Sequence, residues 1–403
     1  MSQRYLAGFV QAGLFNPLAA PVGGAYVQYS GMWTPQSQMQ AVAATTWPDG
    51  FVRGLYSWGQ NNNGQLGLGN ITNYSSPKQV GALITWLNIA CGSYYAVATK
   101  TDGTLWSWGQ NNFGQLGLGN TTSYSSPKQV GALTTWSNTA CGDNHSLAVK
   151  TDGTLWSWGY NAAIDGGPLG LGNTTNYSSP KQVGALTNWS KVAGGRFYSL
   201  AVKSNGTLWS WGRGLDGVLG LGNITNYSSP KQVGALTTWL NITGSFHTLA
   251  TKTDGTLWSW GKNNFGQLGL GNITYYSSPK QVGALTTWLN MSAGSYFTTM
   301  TKTDGTLWAW GRNNSGQLGL GNTTVRSSPV QVGALTIWSN IACGNGHTMA
   351  VKTDGALWAW GGNAQGQLGL GNTTNYSSPK QVGALTNWSK ISAATAFTIV
   401  ITR

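Results

Sequence analysis

The sequence predicts an all-β, seven-bladed propeller, and three observations carry that expectation. Seven Trp-Gly pairs, starting at Trp58, Trp108, Trp158, Trp211, Trp260, Trp310 and Trp360, recur at intervals of 50, 50, 53, 49, 50 and 50 residues. Each copy holds four short extended runs separated by turn residues, the content of one four-stranded antiparallel blade. The two ends of the repeat are each incomplete, and each supplies what the other lacks. Units of this kind bury their apolar faces only by stacking on neighbours, so seven copies make one object. The expected organisation is a non-repeating segment at residues 1–50 followed by the propeller at 51–403.

The second copy shows the hairpin: HSLAVK, TDG, then TLWSWG, over residues 145–159. Two alternating runs around an Asp-Gly pair signal a tight turn, because glycine tolerates positive φ. Along the second run Trp156 and Trp158 share one side, with Leu155 and Ser157 on the other. The glycine-punctuated NNNGQLGLGN, residues 61–70, follows as a compact loop. Residues 75–83, SSPKQVGAL, are expected to be extended, and Pro77 fits an edge or a strand start but not a central ladder. A strand around residues 86–91 then leads into the next hairpin. The first copy opens at LYSWG without a preceding strand, whereas the chain ends on FTIVITR, which aligns with HSLAVKT of the second copy. The last strand is therefore expected to pair with the first and close the ring, which removes exposed sheet edges.

Only 8% of residues are charged, glutamate is absent, and the nine acids are all aspartates. The formal charge of +13 suggests nucleic acid until the lysines are placed. Six precede the turn (Lys100, Lys150, Lys203, Lys252, Lys302, Lys352) and six follow a repeated proline (Lys78, Lys128, Lys181, Lys231, Lys280, Lys380). Twelve of the 22 basic residues are thus spread around the ring, read as a solvated basic belt rather than a specific nucleic-acid site. Cys91, Cys141 and Cys343 share one repeat position with Ala293, Ala393 and Gly194, a slot for a small side chain. Equivalent positions in adjacent copies are expected to lie too far apart for disulfides, leaving free thiols.

The run WSWGxNxxGQLGLGN, then SSPxQV and His-x-Leu-Ala-Val-Lys-Thr-Asp-Gly, resembles the repeat of the regulator of chromosome condensation family. Gly64-Gln65-Leu66-Gly67 recurs at 114–117, 266–269, 316–319 and 366–369. The resemblance covers roughly residues 51 to 403 and implies a seven-bladed β-propeller closed by its two chain ends. Roles in that family run from nucleotide exchange on a chromatin-bound small GTPase to enzyme inhibition and scaffolding, so fold alone does not assign one. An exchange factor is expected to present an acidic, wedge-like surface, and acids here are scarce and mostly placed in turns.

Catalytic chemistry finds no support, and no catalytic residue, cofactor or metal is expected. His145, His247 and His347 occupy a position filled elsewhere by Tyr95, Tyr198, Phe297 and Phe397, which reads as a slot for a flat ring rather than a zinc triad. No acid and histidine accompany a serine in an activating pattern. The repeated LGLGN lacks the Lys-Ser/Thr of a phosphate loop.

Information sits where the copies disagree, because varied loops on a constant scaffold build recognition surfaces. Directly after Trp-Gly the copies carry Tyr160, Arg213, Lys262 and Arg312. Three residues further on stand Phe113, Asp216 and Phe265, with an insertion around Asp165. Before the flat-ring slot stand Tyr94, Phe197, Phe246 and Tyr296. These twelve residues form the candidate partner-binding face, for a host-surface protein or a glycan, with aromatics as anchors.

Residues 1–50 carry only Arg4 and Asp49 as charges, which suggests a segment that packs against something. Gln11, Asn16 and Pro17 interrupt the apolar stretch, so no signal peptide is expected, and no segment is long enough to span a membrane. The opening MSQRYLAGFVQAGLFNPLAAPV resembles N-terminal segments of structural proteins of marine and cyanobacterial phages. That resemblance implies a virion component, such as a fibre, capsid decoration or receptor-facing protein, assembled in the host cytoplasm. Arg4, Tyr5, Phe9 and Phe15 are the candidate anchor to other virion proteins, and a homo-oligomer is compatible with that setting. The alternative is a soluble inhibitor or scaffold.

Overall fold

Residues 53–82 and 85–403 are described by a computed structural model, and they form seven four-stranded antiparallel sheets. Blade 1 runs Trp86–Cys91, Tyr95–Lys100, Leu105–Gly109 and Tyr124–Gln129 from the central channel outward. Blades 2 to 6 repeat this order over 136–182, 189–232, 239–281, 288–331 and 338–381. Blade 7 takes its inner strands, Trp388–Ala393 and Phe397–Thr402, from the end of the chain, and its outer strands, Leu55–Gly59 and Tyr74–Gln79, from the start. Phe397–Thr402 pairs with Leu55–Gly59 from Leu55↔Ile401 to Gly59↔Phe397, the expected closure.

Both sides of every blade are buried, and they differ in chemistry. Between blades 1 and 2, Val97 and Leu105 meet Trp136, Ala148 and Trp158. The next interface sets Leu147, Val149 and Leu155 against Trp189, Ala201 and Trp211. One face of each blade is thus aliphatic and the other indole, as the alternation within TLWSWG requires. The Trp-Gly indoles find a hydrogen-bond partner, whereas inner-strand indoles such as Trp86 and Trp136 have none at Nε1 among the described residues. Trp158 Nε1 donates to the Gln115 carbonyl of the preceding blade at 2.9 Å. The same bond recurs from Trp58 to Gln367, Trp108 to Gln65, Trp211 to Pro168, Trp260 to Val218, Trp310 to Gln267 and Trp360 to Gln317. Gly117 explains the second glycine of Gly-Gln-Leu-Gly. Its φ is +75° and a Cβ there would stand 2.8 Å from Trp158 Nε1, so only glycine admits the indole.

The outer strands are shorter than expected: the extended stretch at 75–83 is Tyr74–Gln79, and Leu83 lies outside the described residues. Proline sits there because the outer strand pairs on one side only.

Two expectations need correction. The six lysines before the turn are not a solvated belt. Lys100 Nζ lies 3.5 Å from the Trp106 ring centroid and 5.0 Å from that of Trp86, and the geometry repeats at Lys150, Lys203, Lys252, Lys302 and Lys352. Five of the six are buried, because the long apolar stem packs on indole while the ammonium rests on the ring face. The Asp-Gly turn prepares that ring: Asp102 Oδ1 accepts from Thr104 N and Oγ1, and Thr104 Oγ1 accepts from Trp106 Nε1. The second correction concerns the cysteines. They are free, but not because equivalent positions are distant: a Cβ on Gly194 would lie 2.4 Å from the Cys141 carbonyl carbon, since inner strands converge on the channel. Burial pushes the Cys141 and Cys343 thiols up to about 12 and about 11, and Cys91 higher still, so thiolate is scarce.

Removing residues 397–403 is expected to abolish the single cooperative melt followed by circular dichroism and to produce aggregation on light scattering, because two sheet edges open at once. An unchanged melt would show that closure is dispensable. Trp158→Ala is expected to cost about 3–5 kcal/mol in urea unfolding.

Candidate interaction face

The ring has two ends, and one carries the variable series that make up the candidate face. At that end, backbone bonds set two variable series side by side: Tyr160 N donates to Asn144 O at 2.9 Å, Arg213 N to Phe197 O at 3.0 Å, and Arg312 N to Tyr296 O at 2.8 Å. The position after Trp-Gly also reaches the loop of the preceding blade and the turn of the following one. Tyr160 meets Phe113 of blade 1 with centroids 5.0 Å apart, and Phe197 of blade 3 at 5.9 Å.

The result is a belt of half-buried aromatics and cations across blades 1 to 5. Phe246 and Tyr296 stack at 4.5 Å, and Phe265 meets Tyr296 edge-on at 5.5 Å. Arg213 lies over Phe197, Lys262 over Phe246 and Tyr296, and Arg312 over Phe265 and Tyr296. Eleven of the twelve sequence-predicted residues therefore fall into two packed groups, which Arg196 bridges by lying over Phe197 of one and Phe246 of the other. Tyr94 is half-buried at the same end, with no ring partner among the described residues.

The acids of the belt are internal partners of its cations. Asp165 is buried, accepts from the Tyr160 hydroxyl at 2.7 Å, and pairs with Arg213 at 3.1 Å. Hydrogen bonding to Asp165 and burial push the Tyr160 phenol up to about 12, burial being the larger cause. Asp216 pairs with Lys262 at 3.5 Å and is the one non-glycine residue at positive φ among the described residues, +62°. Between blades 3 and 4 a cavity of about 180 Å³ is lined by Phe197, Arg213, Asp216, Phe246 and Lys262.

Sequence reasoning missed Arg196 and its partner Asp143. Arg196 lies over both Phe197 and Phe246, at 5.0 and 4.7 Å, and pairs with Asp143 of blade 2 at 3.1 Å. Both stand one residue before the variable turn position, in the series Ser93, Asp143, Arg196, Ser245, Ser295, Asn345, Thr395. That series rims the channel mouth, a space of about 120 Å³. Its own variation was the available signal.

The histidines are fully buried, one each in blades 2, 4 and 6. No cluster of three or more metal-ligating residues occurs among the described residues. His145 Nε2 lies 2.9 Å from Ser199 Oγ, His247 Nε2 2.8 Å from Thr298 Oγ1, and His347 Nε2 3.1 Å from Thr398 Oγ1. Each hydroxyl already donates to a backbone carbonyl, so it accepts from Nε2–H, which makes the neutral Nε2-protonated tautomer the one that fits. Each Nδ1 is buried without a partner. Burial lowers the three imidazoles to about 4, about 3 and about 4. Arg4, Tyr5, Phe9 and Phe15, with the rest of the 1–50 segment, lie outside the described residues.

The family model described as the regulator of chromosome condensation (RCC1) repeat matches seven times, at 54–99, 102–149, 152–202, 205–251, 254–300, 304–351 and 354–401. No curated protein matches the chain. Among solved structures, Prp20p from Saccharomyces cerevisiae is 21% identical, with a TM-score of 0.78 over 88% of this chain and 92% of that one. Human WBSCR16 is 21% identical, with a TM-score of 0.77 over 87% and 99%. Yeast RCC1 (Prp20) bound to Kap60 is 20% identical, with a TM-score of 0.78 over 96% of both. At these identities the likeness is one of fold.

The buried histidines make stability acid-sensitive. Their folded pKa values lie below the unfolded 6.5, so the unfolded chain takes up protons first. Stability is expected to be complete above pH 6.5 and to fall toward pH 4, by up to about 1.4 kcal/mol per histidine per pH unit. Thermal melts of a variant with all three changed to Phe, the residue at 297 and 397, should show a shallower loss; an identical loss would clear the histidines.

Proposed function

We propose a binding role without catalytic chemistry for this chain, which belongs to the regulator of chromosome condensation repeat family. The observation that carries this reading is the aromatic and cationic belt across blades 1 to 5. These variable residues gather on one end of the ring, and there most of them are half-buried and packed on one another. Aromatic anchors held by neighbours lose little entropy on binding, which suits a recognition surface.

Within that class, the favoured role is a bacteriophage virion component, with residues 1–50 as anchor to other virion proteins and the belt facing a host-surface protein or glycan. The N-terminal resemblance to phage structural proteins supports it. The soluble inhibitor or scaffold is the other reading of the same belt. Binding to Gsp1p and histones, described for Prp20p, is disfavoured here. Asp143, Asp165 and Asp216 are each held in an ion pair with a belt cation, so that among the described residues this face presents no acidic wedge to an exchange partner.

Deleting residues 1–34 is expected to remove the protein from purified particles, read by mass spectrometry, while the propeller still melts cooperatively. Undiminished incorporation would refute the anchor. Changing Phe113 and Phe265 to Ala together should weaken partner binding about tenfold or more with the ring intact.

A further inference from the structure

The belt follows a rule that fails at one blade. A cation after Trp-Gly finds an acid on the loop of the preceding blade, Arg213 with Asp165 and Lys262 with Asp216. It is also flanked by the aromatic turn residue of the following blade, as Lys262 is by Tyr296 at 5.9 Å. Arg312 of blade 5 has neither. The acid position on blade 4 holds Phe265, and the turn position on blade 6 holds Gly346.

Arg312 is therefore a guanidinium on an aromatic shelf, with its central carbon 5.6 Å from the Phe265 centroid and 5.8 Å from that of Tyr296. It makes no ion pair or side-chain hydrogen bond among the described residues, and its Nε is buried without a partner. The side toward blade 6 is open: a Cβ on Gly346 would meet nothing within 4 Å, and Gly362 stands where blades 3 to 5 carry Arg or Lys. Beside the gap lie half-buried Ser315, whose Cβ would stand 3.6 Å from a Cβ at Gly362, and exposed Asn345, next to Gly346, whose Oδ1 accepts from Ser295 Oγ and whose amide N–H groups remain as donors.

We propose that this gap receives an acidic sugar, a hexuronate unit of a glycan, whose carboxylate takes at Arg312 the place that Asp165 and Asp216 take on the neighbouring blades. A guanidinium presents paired N–H donors that match a carboxylate. The sugar hydroxyls meet the Asn and Ser side chains, and its C–H face meets the ring shelf. Neutral amides and hydroxyls around a single cation suit one carboxylate among many hydroxyls better than a run of acidic side chains, which would call for several cations. The inference rests on the belt being a recognition surface, and it names the chemistry recognised.

Isothermal titration of the full chain with an oligoglucuronate, a neutral oligoglucose and oligoglutamate tests it. The oligoglucuronate is expected to bind at least about tenfold more tightly than the other two. Arg312→Gln, which removes the charge, and Gly346→Phe, which restores the aromatic found on blades 3 and 4 and fills the gap, should each weaken it about tenfold or more. Gly346 has no left-handed φ and an open Cβ direction, so the second variant is expected to keep the wild-type melt. Equal binding of neutral sugar, tighter binding of oligoglutamate, or indifference to either variant would overturn the proposal. Loss of partner binding in the Phe113 and Phe265 double variant, alongside no uronate binding by wild type, would leave the belt reading standing and remove only this one.

Discussion

The bond from a buried indole to the carbonyl of the neighbouring blade is the joint on which the ring depends. It fixes three things together. The Trp-Gly tryptophan must point toward the preceding blade, the Gln-Leu-Gly loop must turn its carbonyl inward, and the residue after that loop's leucine must lack a side chain. A joint with one donor, one acceptor and one forbidden Cβ admits a single geometry. Repeating it seven times sets a uniform angle between blades, which is what allows a linear array to meet its own beginning. Near-constant spacing in the sequence is the trace of that geometric demand.

Much of the fold was legible because its determinants are local. The Asp-Gly turn, the alternation in TLWSWG and the edge proline each act within a few residues, and each led to the element found. The seam was legible for a different reason: LYSWG lacked a partner strand and FTIVITR supplied one. The lysines misled because their environment is assembled from two strands of a blade. Nothing in the tripeptide Lys-Thr-Asp shows that Trp86 and Trp106 will converge on the ammonium of Lys100. One clue was present. Blade 7 has Tyr56 for the second indole and Thr402 for the lysine, and blade 5 replaces both Tyr and Lys of its outer strand, with Arg326 and Val330. Paired departures of this kind point to contact between the positions.

The belt was legible residue by residue but not as an electrostatic unit. Its ion pairs join a loop on one blade to a strand end on the next, so they follow the register between blades rather than any motif within one. Asp165 marked an insertion in the sequence, and it is buried beside Tyr160 and Arg213. Arg196 went unnoticed because its series varies among small polar residues and only there becomes large. Asp216, at positive φ, shows that the pairing has a cost: the backbone is held in a sparsely populated conformation that puts a carboxylate beside Lys262.

Closure by strands from both chain ends imposes a timetable on biosynthesis. Leu55–Gly59 leaves the ribosome before any other propeller strand, yet its inner neighbour, Phe397–Thr402, is the last to be made. Throughout translation an apolar strand waits with one edge unpaired, amid successive near-identical hairpins that could pair with it instead. Thr402 in place of lysine, and Tyr56 in place of tryptophan, set the two seam strands apart from their counterparts in the other six blades. The departures from the repeat thus act as an address, directing the last strand to the first.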